Sequence, residues 1–146
     1  MLNYDRLTVK SDLTILSQVL GWLDRFYSQH LSGLSWSEYQ LNCIKLAVTE
    51  GFTNAVRHAH EGLPPETTID IELELSDNQI EIRIWDCGKP FNPDSLPKPK
   101  PGELKGGGYG WHLLRRLSDQ VVYERRQNEK NCLRLVKYRL QEAKSG

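Results

Sequence analysis

From Thr68 onward apolar residues fall at every second position: Ile69, Ile71, Leu73 and Leu75 point one way while Asp70, Glu72 and Glu74 point the other. Ser76-Asp77-Asn78 then supplies a tight turn, and Ile80, Ile82 and Ile84 alternate with Glu81, Arg83 and Trp85. This predicts an antiparallel hairpin with one apolar face, which a globular chain must cover with a second layer. The parity runs on to Asp86. A regular strand turns that carboxylate toward the apolar side, where an ionised group costs several kcal/mol unless something binds it. A strand that bends first leaves Asp86 capping a turn instead.

Two amphipathic stretches upstream can form the covering layer. Ser11 or Asp12 caps a helix carrying Leu13, Leu16, Val19, Leu20, Leu23, Phe26 and Tyr27 at helical spacing, and Ser32-Gly33 ends it. Ser35, or Ser37 with Glu38 and Gln40 nearby, caps a second helix whose apolar stripe is Leu41, Ile44, Val48, Phe52, Ala55 and Ala59. That helix should run to about His60, before Gly62 and Pro64-Pro65 stop it. Glu50 and Asn54 lie one turn apart on another of its faces, with Arg57 and His58 a turn further on. A solvated face explains any single such pair, and a working pair of carboxylate and carboxamide is the other reading. Residues 4 to 10 read as a short edge strand. A third helix follows from Tyr109 to Asp119, then strands at Val121-Val122-Tyr123 and Leu133–Leu140 joined by a polar turn, Gln127–Asn131. The order implies an α/β two-layer sandwich, a mainly antiparallel sheet packed on helices, in one domain spanning 1–146.

Composition narrows the partners. Nineteen basic and nineteen acidic residues give a formal net charge of zero, against a chain whose main task is to grip nucleic acid. Three widely spaced cysteines, Cys43, Cys87 and Cys132, without a C-x-x-C read as free thiols of a reducing compartment. The first residues carry no basic region followed by an apolar run, and no eighteen apolar residues occur together, so neither secretion nor a membrane is expected and the cytoplasm is.

Glycine and proline crowd residues 87 to 110, which excludes regular structure for most of that segment and marks 87–108 as a binding loop or lid. Gly106-Gly107-Gly108-Tyr109-Gly110 opens the third helix, leaving unpaired backbone N–H groups beside a chain able to come close to phosphate oxygens. It is neither a Walker loop nor a G-x-G-x-x-G fingerprint. Alone it is a flexible hinge or a phosphate site.

Together these three signals resemble the ATP-binding domain shared by gyrase-type and histidine-kinase-type ATPases, the Bergerat (GHKL) fold. Glu50-x-x-x-Asn54-Ala55-x-x-His58 resembles its N box, Asp86-x-Gly88-x-Pro90-Phe91 its first glycine box and Gly108-Tyr109-Gly110-Trp111 its second. The Pro-Phe ending and the late Asn131-x-Leu133-x-Leu135-x-Lys137 strand are most similar to the anti-sigma-factor serine/threonine protein kinases.

The resemblance implies ATP and Mg²⁺ as cofactors, with Asn54 as the metal-binding carboxamide and Glu50 as the catalytic acceptor of a serine or threonine hydroxyl proton. Asp86 would accept from the adenine amino group, Gly88 would let the backbone approach the base, and Gly106, Gly107, Gly108, Tyr109 and Gly110 would border the phosphates. His58 is either a phosphate contact or a structural histidine. Lys105 stands nearest to where the family often has an arginine. Leucine is usual where this chain has Tyr109 and Trp111, which bears on lid packing. The implied partners are a small anti-sigma-factor antagonist protein, as substrate, and a sigma factor, with a homodimer allowed. A switch that binds nucleotide without transferring phosphate is the alternative; a histidine autokinase would need a phosphoacceptor helix pair for which there is no room.

Overall fold

The computed structural model describes residues 2–30, 36–90, 92, 109–126 and 128–139. Five strands, β1 (Asn3–Lys10), β2 (Thr68–Leu75), β3 (Gln79–Asp86), β4 (Gln120–Arg126) and β5 (Lys130–Tyr138), form one antiparallel sheet in the order β1-β2-β3-β5-β4. Helices α1 (Leu16–His30), α2 (Glu38–Asn54) and α3 (Tyr109–Leu117) complete the expected two-layer α/β sandwich. The hairpin forms in the expected register, with Leu75 opposite Ile80 and Ile71 opposite Ile84. Its inward residues, Ile69 to Leu75 on β2 and Ile80 to Ile84 on β3 at alternate positions, are all but fully buried.

Local chemistry sets the helix ends. Asp12 accepts from the Thr14 amide and opens a 3-10 turn (Leu13–Ile15) ahead of α1, so the α-helix starts later than the apolar spacing alone implied. Ser37 and Gln40 form a reciprocal capping box on α2, which settles the choice between Ser35 and Ser37. Gln40 also donates to the Tyr138 carbonyl at 2.8 Å, pinning the start of α2 to the end of β5. The helix crosses the sheet closely at Gly51, where a methyl group would lie 2.7 Å from Ile84 Cδ1 and 3.0 Å from Leu133 Cδ2.

Among the boundaries that differ from the sequence-based expectation, two matter for the site. The second helix does not continue as α to His60; it widens into a π-turn over Ala55–Ala59, closed by the His60 amide on the Ala55 carbonyl. The apolar stripe expected Ala59 inward, four residues after Ala55. The wider turn brings His60 inward instead, at 4 % exposure, and leaves Ala59 half-buried. Likewise the expected five-residue turn Gln127–Asn131 is shorter. Asn128 and Glu129 take left-handed backbone angles (φ 66° and 57°), so Arg126 already pairs with Lys130 and Asn131 is a strand residue opposite Asp86.

The sheet's other face carries charge rather than a second layer of helices. Arg83 reaches Glu72 (3.3 Å), Glu74 (2.9 Å) and Glu81, and Arg134 also meets Glu81 (3.0 Å). Tyr4 and the Trp85 indole both donate to Glu72. Burial alone would raise the Glu72 pKa, but those donors and the Arg83 charge outweigh it and hold the carboxyl below its usual range.

Candidate nucleotide site

Asp86 ends β3 with the parity of the isoleucines and is 2 % exposed, so the strand stays regular and turns the carboxylate inward. The chain itself supplies partners there. Oδ1 accepts from the Gly88 amide (2.9 Å) and from Asn131 Nδ2 (2.8 Å), and Oδ2 accepts from the Tyr123 hydroxyl (2.7 Å). The inward carboxylate therefore does not depend on a ligand for all of its compensation, as its parity alone implied. A carboxylate has about four lone-pair positions, and the three donors among the described residues leave one open, at Oδ2. Burial first, and the neighbouring carboxylate second, push the Tyr123 phenol well above its ordinary pKa, so it remains a donor.

The turn after Asp86 is held against the end of α2. His60 Nε2 accepts from the Cys87 amide at 2.7 Å. Burial pushes the His60 imidazole down, with a smaller opposing pull from Asp86, and a neutral ring is the form that can accept. Arg125 donates to the Gly88 carbonyl at 2.8 Å, closing the turn from the β4 side.

These elements enclose one cavity of about 720 Å³ between α2, the π-turn, β3 and β4. Asn54, His58, Asp86, Gly88 and Trp111 line it, so residues from all three boxes converge on one space, while Glu50 is not among the lining residues. Such a volume suits a nucleotide-sized ligand. Glu50 stands one turn before Asn54, and α3 begins directly over both. A methyl group on Gly110 would lie 3.2 Å from both terminal atoms of Asn54 and 3.3 Å from Glu50 Oε2. Tyr109 is the first residue of α3. Lys105, Gly106, Gly107 and Gly108 lie outside the described residues.

Among the described residues the Asn54 carboxamide nitrogen is buried without a hydrogen-bond partner, a donor that an acceptor such as a phosphate oxygen would satisfy. Mg²⁺ keeps several waters and phosphate oxygens, so one protein oxygen is an adequate contribution. The residues present fit a magnesium nucleotide: the unpartnered Asn54 amide group can donate to a phosphate oxygen, and the carboxamide oxygen beside it is the kind of atom a hard cation takes.

Tyr123, Asn131 and His60, which hold Asp86 and the turn after it, carry no motif of the three boxes. Asn131 was visible only as a strand marker and turn residue. The signal that would have found it is the β3–β5 register, which sets it opposite Asp86.

Comparison with known proteins agrees with this geometry. Residues 10–137 match the histidine kinase-like ATPase domain family. The chain is 28% identical over 129 residues to the serine-protein kinase RsbW of Oceanobacillus iheyensis, covering 83% of this chain and 80% of that protein. It is 32% identical over 104 residues to the anti-sigma F factor of Bacillus cytotoxicus, covering 68% and 70% respectively. Among solved structures, the RsbU and RsbW domains of Rv1364c from Mycobacterium tuberculosis share the fold at a TM-score of 0.66 and 13% identity, over 95% of this chain and 33% of that longer one. The SiaB-SiaC complex from Pseudomonas aeruginosa contains a chain with the same fold at a TM-score of 0.63 and 10% identity, over 92% of this chain and 89% of that one. With residues 10–137 matched, the chain belongs to the histidine kinase-like ATPase domain family.

Proposed function

We propose that this protein is an ATP-dependent serine/threonine protein kinase that acts as an anti-sigma regulatory factor and phosphorylates a small antagonist protein. The observation that carries the reading is the seating of Gly110 over both Glu50 and Asn54, beside a cavity that also holds Asp86. That contact supports the reading, since the residue proposed to accept the hydroxyl proton and the one proposed to hold magnesium lie under the same glycine, and the latter lines the cavity of the proposed base reader.

Bound Mg²⁺ supplies neutralisation of the triphosphate charge. Asn54 offers it a carboxamide oxygen, and Glu50, one turn back on the same rigid helix, accepts the proton of the attacking hydroxyl. Asp86 keeps one acceptor position for an exocyclic amine, and Gly88 admits the base without a side chain between. His58 lines the cavity as a further polar contact. The names of the relatives support both activities: a serine-protein kinase on one side and an anti-sigma factor on the other. A sigma factor and a second copy of the chain are the further partners this reading carries. No helix among the described residues is long and apolar enough to cross a membrane, and the reading places the protein in the cytoplasm.

One observation favours a second reading, a nucleotide-dependent switch without phosphate transfer. Trp111 stands where the family usually has leucine and packs edge-on to Tyr123 at the cavity wall, which ties the second glycine box to the base end. Incubating the purified protein with radiolabelled Mg-ATP and small antagonist-type proteins from the same genome separates the two. Label on an antagonist serine or threonine is expected for the kinase; nucleotide binding with no label on any candidate would leave the switch.

A further inference from the structure

We propose that Tyr123 is a positioning and base-specificity residue of the nucleotide site. Its hydroxyl orients Asp86 Oδ2 to receive an exocyclic amine, and its ring ties that carboxylate to the helix resting on Glu50 and Asn54. The proposal rests on the nucleotide reading above and adds to it a residue outside all three boxes.

The argument begins with the carboxylate. Oδ1 is saturated by the Gly88 amide and Asn131 Nδ2, so any ligand donor must go to Oδ2. Among the described residues the Tyr123 hydroxyl is the donor on Oδ2, at 2.7 Å. One acceptor position therefore remains, and its direction is set by where Tyr123 stands. Donors from the following turn, β5 and β4 hold both oxygens, so the plane of the carboxylate and the direction of its remaining lone pair are fixed from three sides.

The ring of Tyr123 carries the second half. It lies 5.4 Å from the Trp111 ring at 68°, an edge-on arrangement of the favourable kind, and both rings border the cavity. Trp111 is the second residue after Tyr109 in α3, next to the Gly110 that presses on Asn54 and Glu50. The path from the base-reading carboxylate to the start of α3 therefore has one hydrogen bond and one ring contact. A leucine at position 111 offers no polarised edge or face to a phenol ring. Trp111 and Tyr123 make sense as a pair.

The test measures the affinity of the intact protein for Mg-ATP and for Mg-inosine triphosphate, which differs in carrying a 6-oxo group in place of the 6-amino group. Tyr123→Phe keeps the ring and removes the hydroxyl. The expected result is that the preference for ATP over inosine triphosphate shrinks by roughly five- to tenfold, while inosine triphosphate affinity changes little. A merely structural role would weaken both nucleotides alike and leave their ratio unchanged, and that outcome overturns the proposal. Trp111→Leu is expected to lower the same ratio, and the double variant no further than Tyr123→Phe alone; additive losses would overturn the link to α3. A wild-type protein that binds neither nucleotide would overturn the nucleotide reading, and the proposal with it. Normal wild-type binding with an unchanged ratio in Tyr123→Phe overturns the proposal alone.

Discussion

Gly88 leaves no room for a side chain against Ala59: a Cβ built on it would lie 2.3 Å from the Ala59 carbonyl oxygen and 2.9 Å from the carbonyl carbon. The obstruction is backbone on a π-turn, which cannot swing aside as a flexible side chain can. Gly88→Ala should therefore push the turn after β3 away from α2, breaking the Cys87–His60 hydrogen bond and distorting the cavity. The expected cost is about 2 kcal/mol or more in stability, read as a lower urea midpoint with an unchanged slope. A midpoint equal to wild type would mean that the two segments part easily.

Asn54 and Glu50 should separate binding from chemistry. Asn54→Ala removes the buried carboxamide and should weaken Mg-ATP at least about tenfold by calorimetry. Glu50→Gln keeps shape and packing under Gly110, so nucleotide affinity should hold while phosphotransfer falls by roughly a hundredfold or more. Unchanged transfer in Glu50→Gln would remove the proton-accepting role.

Asp86→Asn makes a directional prediction. The Oδ1 position faces two N–H donors, from Gly88 and Asn131, so the amide must place its oxygen there and its NH₂ at the Oδ2 position. Tyr123 can turn its hydroxyl to accept from that NH₂. The variant then offers the base a donor where the wild type offers an acceptor. Wild type should prefer ATP over GTP by at least about tenfold, and Asp86→Asn should lose or reverse that preference in competition binding. Retained preference would show that Asp86 does not meet the base.

The buried imidazole of His60 predicts a loss of stability on the acid side. Burial lowers its pKa in the folded state below the value of about 6.5 expected when unfolded. The unfolded chain thus binds a proton first, and the contribution is fully present above pH ~6.5 and lost as pH falls from there through the folded-state value. His60→Gln keeps an acceptor for the Cys87 amide but does not titrate. Urea midpoints measured from pH 7.5 down to pH 5 should fall less steeply in the variant than in wild type; equal slopes would place the acid loss elsewhere.

Much of the fold was legible because period two over 69–86 and helical spacing over 13–59 are strong local signals. The parity that turned Asp86 inward was among them. What local signals do not contain is which residues stand opposite each other across strands far apart in the chain. Tyr123 and Asn131 meet Asp86 through β3–β5 and β4–β5 pairing. Neither carries a spacing pattern pointing to residue 86. His60 is hidden for another reason: the α period places Ala59 inward, and only the wider π-turn over Ala55–Ala59 puts His60 there. The Gln127–Asn131 turn was drawn too long because its polar composition hides a left-handed pair that closes the loop in three residues.

The strand order has a consequence for how the protein is made. β4 pairs with β5, and β5 lies between β4 and β3, so a growing chain that has not yet reached Lys130 holds β4 without a sheet neighbour. Two of the three donors on Asp86 come from these last strands. While the ribosome is still adding residues 130–138, the hairpin β2–β3 stands complete with a buried-type carboxylate at its end that lacks Asn131. The ligand pocket is thus the last part of the domain to be assembled. A stalled or truncated product lacking β4 and β5 would lack two of the donors on Asp86, and its exposed β3 edge would be open to pairing with another chain.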